Sequence, residues 1–196
     1  MSAVGKKFLN TPLGEHALTF AKECHKGQVR KGTTRPYITH CTEVARILHK
    51  HGYSEEIVIA GLLHDTVEDT EASLEDLRIG FGEEVSNLVN YVSEDKSPEL
   101  AWEKRKVMYI KKLTDAPEGA VVISAADKLH NITETFEQFL KVGDAVFLKF
   151  NSGKENQKWF YRSLTEMYFV RGLFFENKSL LKMARSINKV LGKMGM

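Results

Sequence analysis

The chain has 196 residues, a formal net charge of +2, 42% hydrophobic and 28% charged side chains, the balance of an ordinary globular protein. No run approaches the ~20 apolar residues of a membrane span, and Met1 to Asn10 lacks the apolar stretch of a signal peptide. Cys24 and Cys41 give no disulfide framework and no Cys-x-x-Cys motif for zinc or redox chemistry, so a reducing, cytoplasmic setting is expected.

Thr11-Pro12 reads as an N-cap with proline at the first helical position, and Leu13, Ala17, Leu18, Ala21 and Cys24 trace one face of the helix that follows. A basic, Gly-containing loop from Gly27 to Pro36 leads to a second helix, Ile38 to His51, stopped by Gly52. Ser54 caps a third, Glu55 to about His64, apolar on nearly all sides and therefore central. Ser73 to Leu77 predicts a short helix ended by Gly80-Phe81-Gly82, and Val85, Leu88, Val89 and Val92 mark the next. After a polar break, Ser93 to Pro98, a charged helix is expected from about Glu99 to Leu113.

Pro117 opens a helix that is apolar from Ala120 to Ala126 and then carries Asp127, His130 and Asn131. Residues 143–153 give the weakest pattern. Trp159, Leu164, Met167, Tyr168 and Leu173 predict a long helix, and Leu180 to Leu191 a last one. No alternating run is bounded by hairpin turns. The expectation is an all-α fold, one domain over residues 1–196 with eight to ten helices. From Lys141 onward there are eleven Lys/Arg against four Asp/Glu. Because that tail keeps an apolar period, it reads as solvated basic helix faces, not a nucleic-acid surface. Phe169, Phe174 and Phe175 are assigned to the core, with a homo-oligomer seam as the alternative.

The chemistry concentrates in Leu62-Leu63-His64-Asp65-Thr66-Val67-Glu68-Asp69-Thr70. On a helix, residues three and four apart share a face, which sets Glu68 beside His64 and Asp65, and Asp69 beside Asp65. Imidazole with carboxylate oxygens suits a divalent cation, and spare carboxylates suit a base that prepares water. An exposed acidic helix end would not account for His-Asp directly after an apolar run. Two more candidates lie elsewhere. His40 stands early on the second helix, as a ligand or a half-buried ring. Asp127 interrupts an apolar stretch, where a carboxylate is either ion-paired to Lys or Arg or coordinated.

His … His-Asp … Asp resembles the HD-domain metal-dependent phosphohydrolases. The segment AKECHKGQVRKGTTRPYITH (Ala21 to His40), followed by HDTVEDT, Phe81-Gly82, VSEDKS and ADKLHN, is similar to the hydrolase domain of RelA/SpoT homologues, and most closely to stand-alone (Mesh-type) small alarmone hydrolases. No synthetase-like region is expected before Met196. The resemblance implies His40, His64, Asp65 and Asp127 as ligands of one divalent ion, Mn2+. It implies Glu68 and Asp69 as the groups that position and deprotonate water. Arg30 and Lys31 would hold phosphate or stack on guanine, Asn131 would contact the nucleotide, and Lys96 would reach a pyrophosphate. The implied reaction is hydrolysis of the 3′-pyrophosphate of ppGpp or pppGpp, with a nucleotide as the small-molecule partner and neither nucleic acid nor membrane expected; a homo-oligomer and a partner role for the basic C-terminal helices stay open.

The chain departs from the family pattern at Cys41, where proline is usual, at Thr133, where arginine is common, and at Trp159, which aligns with a tyrosine. Residues 141–158 align poorly, with Lys154 or Lys158 as a substitute phosphate-binding base. Two alternatives stand beside the alarmone: the same fold acting on NADPH or a deoxynucleotide, and a non-catalytic nucleotide-binding module.

Overall fold

Thr11 turns the chain into its first helix. Its hydroxyl accepts from the Gly14 N–H at 3.0 Å, and Pro12 occupies the first turn, where no N–H is needed. The structure, a computed structural model, describes residues 8–97 and 99–196. The expectations that touch Met1 to Asn10 and Pro98 therefore lie partly outside the described residues. Regular structure among those residues is helical, as predicted: α1 (Pro12–Cys24), α2 (Ile38–Lys50), α3 (Glu55–Leu63), α4 (Thr66–Asp69), α5 (Leu74–Phe81), α6 (Glu83–Val92), α7 (Trp102–Thr114), α8 (Glu118–Val142), α9 (Gly153–Phe174) and α10 (Lys178–Lys193), with a 3-10 helix at Gly143–Lys149. The only extended pairing described is one bridge, Val29 with Pro36. None of these helices is long and apolar enough to cross a membrane.

The chain divides into two compact units, Met1–Asp95 and Lys96–Met196. In the first, α3 is the axis and packs against α1, α2 and α6. Its cap is the predicted one, Ser54 accepting from the Ile57 N–H, and Val58 to Leu63 are all buried. Gly61 is what lets α2 come close: a Cβ there would collide with Leu48 Cδ1 and touch Val44. Ser73 and Asp76 form a reciprocal capping box at α5. The turn into α6 is made at Gly82, whose φ of 90° a side chain would oppose.

In the second unit α8 packs against α9 and α10. A buried hydroxyl chain ties α7, α8 and α9, with Ser124 Oγ at 2.9 Å from the Tyr109 hydroxyl and 2.7 Å from that of Tyr168. Gly172 lets the α9 and α10 ends meet, since a Cβ there would press on Leu181.

Several expectations need correction. The helix through His64 is not continuous: α3 stops at Leu63, His64 and Asp65 form a turn, and α4 is a separate single turn. α5 runs on to Phe81 because only Gly82, not Gly80, takes up the left-handed backbone. α7 begins at Trp102, after a turn in which the Leu100 N–H reaches the Ser97 carbonyl at 3.0 Å. Phe174 is 73% exposed, with Val170 and Leu173 also exposed, and Phe169 and Phe175 are half-buried, so the assignment of these aromatics to the core holds only in part.

The Gly61 contact makes a direct prediction. Gly61→Ala forces a methyl against fully buried Leu48, and overpacking of this kind costs about 1–3 kcal/mol. Urea unfolding should show that loss; a variant as stable as the parent would mean that Leu48 turns aside freely.

Candidate metal centre

His40 is the third residue of α2 and fully buried; His64 directly follows α3 and is 3% exposed. The Gly61 carbonyl lies 2.8 Å from His64 Nδ1. A carbonyl can only accept, so Nδ1 carries the proton and Nε2 is left with its lone pair. That Nε2 is 3.2 Å from His40 Nε2 and 3.0 Å from Asp65 Oδ2, and His40 Nε2 is 3.5 Å from the same oxygen. Donor atoms about 2.1 Å from a shared ion are separated by about 3.0 Å at right angles and about 3.4 Å at the tetrahedral angle. The three atoms thus fit a single divalent cation. Among the described residues, His40, His64 and Asp65 form the group able to hold one.

Burial works against charge on Asp65. Where the His64 and His40 rings are protonated on the nitrogen that faces it, the His64 charge and the hydrogen bonds from both rings outweigh that burial and hold the carboxyl well below the usual range. An ionised carboxylate is the form that binds metal.

Glu68 and Asp69 lie on α4, next to this cluster, but neither is unpaired as the continuous-helix picture supposes. The Glu94 N–H donates to Glu68 Oε2 at 2.9 Å. The Tyr37 hydroxyl donates to Asp69 Oδ2 at 3.1 Å and also reaches Asp65 Oδ2 at 2.7 Å. Burial, with the charges of Asp65 and Asp69, pushes the Tyr37 hydroxyl far above its ordinary range, so it remains a donor. The sequence reading missed Tyr37. Its signal was its position three residues before His40, on the same side of the α2 entry.

Arg30 lies over the Tyr37 ring, 5.2 Å from its centroid, and Lys31 is exposed. The buried His25 ring stacks on Tyr37 at 4.9 Å. Its Nδ1 is 2.8 Å from Gln28 Oε1.

Asp127 and Asn131 belong to α8 in the second unit. Asp127 is buried, and the ion pair considered from sequence is present, Lys128 Nζ lying 2.5 Å from Oδ2. The Asn131 amide donates to Oδ1. His130 Nδ1 sits 3.9 Å from Glu134, and Lys96 is exposed.

The chain matches the HD domain family over residues 17–141. It is 40% identical over 121 residues to the guanosine-3′,5′-bis(diphosphate) 3′-pyrophosphohydrolase MESH1 of Xenopus tropicalis, an alignment spanning 60% of this chain and 66% of that protein. The chain therefore spans just under two thirds of the length of the curated relatives of this name. The crystal structure of lmo0812 from Listeria monocytogenes EGD-e is similar with a TM-score of 0.69 at 33% identity, covering 80% of this chain and 99% of that one. A metazoan ortholog of SpoT, which hydrolyzes ppGpp and plays a role in starvation responses, has a TM-score of 0.71 at 26% identity, covering 94% and 97%.

Binding at the triad should register as stability. A divalent ion at a hundred times its Kd raises unfolding free energy by about 2.7 kcal/mol. Mn2+ should therefore raise the Tm of the parent protein and leave His64→Ala nearly unmoved, as read by calorimetry. Equal shifts in both proteins would place the ion elsewhere.

Proposed function

This chain belongs to the HD domain family, and from that premise we propose that it hydrolyses the 3′-pyrophosphate of ppGpp or pppGpp, releasing GDP or GTP and pyrophosphate. The observation that carries the proposal is the convergence of two imidazole nitrogens and one carboxylate oxygen within 3.0–3.5 Å, in a chain whose relatives bear that activity in their names. The family match runs through both compact units, which supports reading residues 1–196 as one catalytic domain. A cytoplasmic setting belongs to the same proposal, on the two-cysteine composition of the chain.

The proposed ligands of one Mn2+ ion are His40, His64, Asp65 and, from the sequence pattern, Asp127. When bound, the ion polarises the phosphoryl oxygens and offsets their charge. Glu68 and Asp69 orient the attacking water and accept its proton. Water oxygen bonds to the phosphorus carried on the 3′ oxygen; the bond from that phosphorus to the 3′ oxygen breaks, and the 3′ oxygen takes up a proton. The hydrogen bonds that Glu68 and Asp69 accept fix their rotamers, so little reorganisation remains for the reaction itself.

Arg30 and Lys31 supply cations for a polyanionic substrate. Guanidinium stacks as well as pairs with phosphate, and Arg30 already lies against an aromatic face. Lys96 is assigned to the pyrophosphate and Asn131 to the nucleotide. In Asn131 the same amide bonded to Asp127 would also fix that carboxylate's orientation.

The test incubates Mn2+-loaded protein with ppGpp, NADPH and a dNTP panel and identifies products by chromatography. Expected is Mn2+-dependent release of GDP and pyrophosphate, lost in Asp65→Ala and reduced at least ~100-fold in Glu68→Ala, the scale of losing a proton-transfer group. Turnover of NADPH alone would move the assignment to another nucleotide. Retention of nucleotide without product would indicate a binding module, and activity indifferent to chelation would refute the metal mechanism.

A further inference from the structure

The Tyr37 hydroxyl stands 2.7 Å from Asp65 Oδ2 and 3.1 Å from Asp69 Oδ2. A phenol has one proton, so a single O–H is shared between a carboxylate facing two imidazoles and another at the far end of α4. We propose that Tyr37 is a positioning residue whose shared hydroxyl sets the separation between the metal-facing carboxylate of Asp65 and the water-orienting carboxylate of Asp69. The Asp69 half of this inference rests on the hydrolase reading; the Asp65 half rests on the triad alone.

The Asp69 N–H donates to the Asp65 carbonyl at 2.9 Å, which sets the two backbones one turn apart, but α4 does not by itself orient their side chains. It has four residues, and no side chain caps its N-terminus, while a first helical turn is the costly part of a helix. Two carboxylates close together also repel. Without a common donor, they would relax apart.

The loop before α2 supplies the missing stiffness. The Tyr37 N–H donates to the Gln28 carbonyl at 2.9 Å, and the ring is packed by buried His25 with an interplanar angle of 26°. The Tyr37 ring also meets His40 edge-on, centroids 5.8 Å apart. The same Gln28 accepts from His25 and donates its amide to the Asp69 carbonyl oxygen at 2.9 Å. Asp69 is thus held twice by one loop, at its backbone by Gln28 and at its carboxylate by Tyr37. Glu68, by contrast, is held from the segment after α6.

Tyr37→Phe removes one oxygen and keeps the ring, and a calorimetric melt confirms that the fold is retained. Removing a hydrogen-bond partner of a metal ligand typically costs 10–100-fold in affinity or activity. Mn2+ titration by calorimetry should therefore show Kd weakened at least ~10-fold. At saturating Mn2+, kcat for ppGpp should still be down about 10-fold with KM within about twofold, a split that mere loosening of the fold would not give. A second variant, Gln28→Ala, removes the bond to the Asp69 carbonyl and the acceptor for His25 but keeps the Tyr37 hydroxyl on Asp65, and should lower kcat while weakening Mn2+ Kd less than Tyr37→Phe does. Parental Kd and kcat in Tyr37→Phe would overturn the proposal, as would complete recovery of its kcat by excess Mn2+. If the parent protein binds Mn2+ but does not turn over ppGpp, the hydrolase reading falls while the Kd comparison still decides whether Tyr37 positions Asp65.

Discussion

The approach of α2 to α3 at Gly61 is the constraint on which the triad depends. A side chain at that position would occupy the space of Leu48 Cδ1, and moving α2 outward would carry His40 with it. With glycine there, the Nε2 atoms of His40 and His64 come within 3.2 Å although the residues are 24 positions apart. The same glycine offers its carbonyl to His64 Nδ1, which settles the tautomer. One residue without a side chain thus governs both the spacing of the two imidazoles and the Nδ1 proton of His64.

The acidic segment that follows derives its order from partners as well as from helix. The Asp69 N–H donates to the Asp65 carbonyl one turn back at 2.9 Å, but α4 is one turn long and that backbone bond does not by itself orient the carboxylates. Each is instead tied to a different piece of chain, Glu68 to the Glu94 N–H and Asp69 to Tyr37 and Gln28. Hydrogen bonds to a charged acceptor are about twice as strong as neutral ones. A short turn can therefore carry two adjacent carboxylates without unwinding.

In the second unit the buried Asp127 raises the usual problem of a charge inside an apolar helix. Lys128 and Asn131 answer it, one as a counter-ion and one as a donor. Lys128 in turn lies over the Tyr109 ring at 5.3 Å, and Tyr109 begins the hydroxyl chain through Ser124 to Tyr168. A buried charge is tolerated where each group around it is itself partnered.

Local chemistry was legible in the chain. Caps at Thr11 and Ser54 and the apolar periods behind them define the helices, because a cap and a 3.6-residue stripe act within a few positions. His64-Asp65 stood out because a charged pair after a buried run needs a reason. The tertiary structure alone decided that His40 meets His64, that α3 breaks between the ligands and Glu68, and that Tyr37 lies between two carboxylates. It also decided that Phe174 faces outward. Those outcomes hang on hydrogen bonds and close contacts between residues far apart in sequence, whose strength depends on packing that no local pattern encodes.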